Sequence, residues 1–147
     1  MMPSIARHLA PCCEQVLETM FFTGILAVGE ETPPAMNSDI SATVAFMGPP
    51  DGLLSIALSR DAAAALASSF LGVDLQAVST TDCSEVAGEL ANMICGALLS
   101  RATTGRMFRL AAPDLHREWD AAAHNGAVTA ALELPEGNLR VRVCVDQ

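Results

Sequence analysis

The chain has 147 residues, of which 17 are acidic and 8 basic, and its net charge is −9. That length suits one domain with its own core. The negative balance argues against a nucleic-acid partner, since phosphate backbones need a positive surface, and no apolar run approaches the ~20 residues that a membrane-spanning helix requires.

All eight basic residues are Arg and none is Lys. This removes P-loop lysine and Schiff-base chemistry. The opening residues, MMPSIARHLAPCC, lack the apolar stretch of a signal peptide, so a cytoplasmic protein is expected. The five Cys form no C-x-x-C pair, and His8, His116 and His124 show no ligand spacing with them. Reduced, mostly buried thiols and no metal site are expected. Neither GxSxG nor GxGxxG is present.

The first predicted element is a helix over 11–23, with Pro11 at its first position and Gly24 at its end. Cys13, Val16, Leu17, Met20 and Phe21 recur on it at helical spacing. Residues 25–37 read as a loop or an irregular strand. ISATVAFM (40–47) and LLSIALS (53–59) each alternate, and the turn GPPDG joins them into a hairpin. A short helix over 61–72 follows, with Leu66 and Phe70 on one face and Gly72 at its end. Residues 73–81 read as a connection.

A second long helix is predicted from Asp82 to about Thr103, with Asp82 and Glu85 as a capping box. MFRLAAPDL (107–115) reads as a strand interrupted by Pro113. Residues 116–126 carry Trp119, the only Trp, expected in a core or an interface. AVTAALEL, the turn PEGN and LRVRVCV form the last hairpin. It is a candidate sheet edge, with Arg140 and Arg142 on one side to pair across an interface or guard it.

The order of long helix then antiparallel hairpin occurs twice. VLETM (16–20) aligns with ELANM (89–93), Val16 taking the place of Glu89 and Thr19 that of Asn92. The expected fold is therefore α+β: one domain of two pseudo-repeats, about 11–72 and 81–147, with long helices packed on an antiparallel sheet.

At roughly 100° per residue, Val86, Ala87, Leu90, Met93, Ile94, Ala97 and Leu98 of the second long helix share a core arc. Glu85, Glu89, Asn92, Gly96 and Thr103 form a narrow stripe opposite, with Gly88 beside it. Glu85 is explained by capping; Glu89 lies beyond the first turn and is not. Asn is a mediocre interior helix residue, and Gly88 and Gly96 each cost roughly 1 kcal/mol against Ala. An Ala-rich helix that accepts these along one side has either an ordinary solvated face or a working one. Gly96 leaves backbone bare where another surface can approach.

E-x-x-N on a long helix, in a chain of helix-plus-hairpin units, resembles the CheC/CheX/FliY group of chemotaxis phosphatases, and its CheX members most of all. The pattern of that group is [D/S]-x3-E-x2-N with a Pro roughly 22 residues later. Glu89 and Asn92 stand at its E and N positions, and Pro113, within FRLAAPDL, stands for the Pro. The first position is Glu85, with Ser84 one residue off, and the interval from Asn92 to Pro113 is residues 93–112.

The resemblance implies hydrolysis of the aspartyl-phosphate of a CheY-like receiver domain. Asn92 would hold the attacking water in the partner's site, and Glu89 would pair with a Lys of the partner. Glu85, Gly88 and Gly96 would line the contact. The chain would need no cofactor of its own, the receiver supplying Mg²⁺, and homodimers are implied. The alternatives are a receiver-binding domain of the same fold without catalysis and a flagellar-switch-type assembly domain.

Overall fold

The computed structural model describes residues 2–29, 39–103, 105–116 and 127–146. Helix α1 (Met2–Met20) leads into a three-residue strand β1 (Ala27–Gly29). Strands β2 (Ile40–Met47) and β3 (Gly52–Leu58) form the first hairpin, and α2 (Arg60–Leu71) follows. A single 3₁₀ turn, Leu75–Ala77, precedes the longest helix, α3 (Thr80–Ala102). The chain ends with β4 (Arg109–Leu110), β5 (Val128–Leu134) and β6 (Gly137–Val145). Trp119 and His124 lie outside the described residues.

The six strands form one antiparallel sheet in the order β1-β5-β6-β3-β2-β4. Exchanging β1 with β4, β2 with β5 and β3 with β6 reverses this order onto itself. The two hairpins therefore meet at the centre, along β3 and β6, and the short strands flank them. Because side chains alternate along a strand, Val44, Leu54 and Val143 fall in one row, and Ala42, Ile56 and Val141 in the next. All six are buried, and helices cover this face. The helical layer and the sheet share one core.

Four expectations are corrected here. α1 begins at Met2, with Pro11 inside it rather than at its start. Pro11 has no N–H to give to the helix, but it sits on the exposed side, while Ile5 and Leu9 are buried and hold the preceding turns. Met20, expected in the core, is 47% exposed.

The last hairpin is not an edge either. β6 is central, so Arg140 and Arg142 are both buried on the sheet's other face, and Arg140 pairs with Asp39. They neither guard an edge nor reach across one. The true edges are the short strands β1 and β4. The strand expected over 107–115 shrinks to Arg109–Leu110, because Pro113 cannot donate to a ladder. Beyond it the chain still follows β2 through Ala111 N–H to the Ala45 carbonyl at 2.9 Å and a two-way pair between Thr43 and Asp114.

Candidate functional site

α3 starts two residues before the sequence suggested. Ser79 is its N-cap, and its hydroxyl accepts the Asp82 N–H at 3.0 Å while the Asp82 carboxylate accepts the Ser79 N–H at 3.0 Å. The capping box is thus Ser79/Asp82, and the expected Asp82/Glu85 box is not formed. Glu85 stands a turn further in and is exposed. At the other end, Thr103 closes the helix onto the Leu99 carbonyl, and Ser4 of α1 donates to the carbonyl of Ala102 at 3.1 Å. α3 is therefore held at both ends, and its side chains are presented from a stiff rod.

The buried arc of α3 is wider than the apolar pattern predicts. It takes in Gly88, Ala91, Cys95 and Leu99, and it leaves Met93 and Ala97 only half-buried. The reason lies elsewhere in the chain. Residues 106–115 run back along the flank of α3, antiparallel to it. Phe108 and Leu110 border a small pocket together with Gly96 and Leu99, and Pro113 and Leu115 meet the helix at Gly88. The strap is fixed on its far side by β2, including an edge-on contact of Phe108 with Phe46 at 6.0 Å.

This strap decides what each residue of the stripe can do. Gly88 is buried, and a Cβ there would lie 2.7 Å from Leu115 Cδ2 and 3.1 Å from Pro113 Cβ. Its bare backbone is packed by its own chain, and Gly88 also borders the groove described below. Gly96 is more open, the nearest atom to such a Cβ being Leu110 Cδ1 at 4.0 Å. Asn92 stands one turn from each glycine, half-buried beside the strap. Glu85 and Glu89 are fully on the exposed side. Thr103, placed on the stripe by the wheel, is buried.

A groove of ≈ 370 Å³ opens beside the two acids. Phe70 and Leu71 of α2, Val86 of α3, and Pro113 and Leu115 of the strap form its apolar walls, and Asp82, Glu85 and Glu89 line it as well. Phe70 is held by stacking on Phe21 at 5.1 Å between ring centres. Sequence reasoning missed this groove, since its walls come from three separate segments. The one local signal is the exposed apolar run at the end of α2, where Leu71 and Val73 remain 45% and 40% exposed.

On the core side of α3, burial pushes the Cys95 thiol up to about 12. Burial likewise raises Cys13 on α1, followed by the nearby Cys12 and Glu14. These thiols are packing groups, protonated and poor nucleophiles. Among the described residues no group of His, Cys, Asp and Glu is arranged to hold a metal. No helix among them is long and apolar enough to cross a membrane.

The family model of chemotaxis phosphatase CheX matches residues 40–132. The chain belongs to the CheX family. Its fold is that of solved CheX structures. A chemotaxis protein CheX from Desulfovibrio desulfuricans superposes with a TM-score of 0.76 at 20% identity, covering 97% of this chain and 99% of that one. A CheC-like superfamily protein from a Shewanella species gives 0.74 at 20% identity over 98% of each chain. The CheX of a CheX–CheY–BeF3–Mg²⁺ complex from Borrelia burgdorferi gives 0.74 at 17% identity, covering 96% and 97%. A search of the curated proteins finds no match.

Within this CheX-family chain, the strap brings Pro113 onto α3 next to Glu89, although the two are far apart in sequence. Pro113 packs on Gly88, the residue immediately before the motif acid. The interval of residues 93–112 therefore does not prevent the Pro from reaching the helix. What the arrangement offers chemically is one neutral amide between a covered flank and an acidic, solvent-facing one.

Proposed function

We propose that this CheX-family protein hydrolyses the aspartyl-phosphate of a CheY-like receiver domain, docking it on the Glu85–Gly96 face of α3. The observation that carries this reading is the placement of Asn92. It is half-buried on a helix capped at both ends, so it is steadied by its own chain and still reachable by a second protein.

Phosphoryl transfer passes through a loose transition state, so orientation and electrostatics matter more than proton abstraction. A carboxamide can hold water in line without repelling the anionic phosphoryl group. A carboxylate at that point would repel it. Asn92 is accordingly assigned the water, and Glu89, exposed one turn away, is assigned a Lys of the receiver. The Mg²⁺ that offsets the phosphoryl charge is assigned to the receiver, a reading supported by the Borrelia complex of CheX, CheY, BeF3 and Mg²⁺.

A second reading is a receiver-binding domain of the same fold without catalysis. Glu85 at the first motif position, where Asp or Ser stands in the family pattern, is the observation that favours it. One experiment separates the two. The protein is added to phosphorylated receivers of its own organism and phosphate release is followed. Faster release that Asn92→Ala abolishes, with complex formation retained, is expected. Saturable binding with no change in phosphate lifetime would leave the second reading.

A further inference from the structure

The groove beside Glu85 and Glu89 has a chemistry of its own. Its walls are apolar, and among the described residues its charged lining is entirely acidic. Asp82 already serves the cap. Glu85 and Glu89 are one turn apart on the same face, a spacing at which like charges repel. Among the described residues neither is paired with a cation or a hydrogen-bond donor. Glu85 is also released from capping by Ser79 and Asp82, so the helix does not need it.

An occupant must suit both halves. A purely apolar side chain would strip water from two carboxylates without recompense, and an anion would be repelled by them. A Lys or Arg side chain fits: its methylenes cover the apolar wall beside Leu115 and Phe70, and its charged head stays at the acidic mouth. We infer that this groove receives a basic side chain of the docked receiver domain, distinct from the Lys assigned to Glu89, and that Glu85 is a positioning residue which fixes the register of the complex. The inference rests on the phosphatase reading of the same helix face. Asn92 does not line the groove, so the contact acts on docking and leaves the water-holding step alone.

The test uses the full chain with a receiver domain of the same organism, loaded with Mg²⁺ and beryllofluoride for binding and phosphorylated for turnover. Glu85→Gln is expected to raise both Kd and KM about fivefold, with the rate at saturating receiver within about twofold of the wild type and a weaker dependence of Kd on salt. Glu85→Arg is expected to weaken binding further, and replacement of one receiver Lys or Arg by Glu restores it. Unchanged Kd and KM in both Glu85 variants, while Asn92→Ala still stops turnover, would overturn the groove and leave the phosphatase reading standing. Wild-type protein that neither binds nor dephosphorylates any receiver overturns both.

Discussion

Ser79 and Asp82 hold each other's backbone N–H at the start of α3, each at 3.0 Å. This reciprocal cap satisfies two of the donors that a helix N-terminus leaves open. It also separates the stability of α3 from its exposed acids. Ser79→Ala is expected to lower unfolding free energy by about 1 kcal/mol, whereas Glu85→Gln changes it by less than about 0.5 kcal/mol, as at an ordinary surface position. Urea denaturation of the two variants checks this. A larger loss in Glu85→Gln would return the acid to a structural role.

The two glycines of the motif face respond in opposite directions. Among the described residues, a methyl added at Gly96 meets only Leu110, at 4.0 Å. Gly96→Ala therefore gains helix propensity and is expected to stabilise the protein by roughly 0.5–1 kcal/mol. Receiver affinity should fall in the same variant, since the methyl stands on the face proposed to dock the receiver.

At Gly88 the strap is already in place. Leu115 can swing its terminal methyl aside, but the Pro113 ring at 3.1 Å is rigid. Gly88→Val adds a branched side chain under both and is expected to cost roughly 1–3 kcal/mol. Pro113 and Leu115 also line the groove, so turnover should drop along with stability. A Gly88→Val protein with wild-type denaturation and wild-type turnover would show that the strap is not seated on α3.

Asn92→Asp keeps the size of the side chain and adds a negative charge. Beside a phosphoryl group that charge repels, so phosphate release is expected to fall by about 100-fold or more. Single-turnover assays at saturating receiver check it. Asn92→Asp with undiminished turnover would exclude a neutral water-holding amide.

The buried thiols set an alkaline limit on stability. Burial raises Cys95 from 9.0 to about 12. Below pH 9 the thiol is protonated in both folded and unfolded chains, and its contribution is complete. Between pH 9 and 12 the unfolded chain releases the proton and the folded one keeps it. Stability therefore falls as pH rises, by up to about 1.4 kcal/mol per pH unit for one such thiol. Denaturation midpoints at pH 8 and pH 10.5 measure the decline, and Cys95→Ala should make it shallower.

The sequence by itself determined most of the elements and much of the candidate face. Alternation in ISATVAFM and LRVRVCV, and the turns GPPDG and PEGN, are signals between near neighbours, and they produce the hairpins where they were expected. The period of α3 placed Glu89 and Asn92 on one side of the core, because 3.6 residues per turn is a local property. Tertiary structure decided which parts of that side are open. Pro113 and Leu115 roof Gly88 although no short-range pattern links them to it, and Arg140 and Arg142 are buried because β6 pairs with β3 on one side and β5 on the other. Pro11 lies within α1 because Ile5 and Leu9, ahead of it, find burial in the core. In each case the deciding energy is apolar surface covered between distant segments, which is not a function of residue spacing.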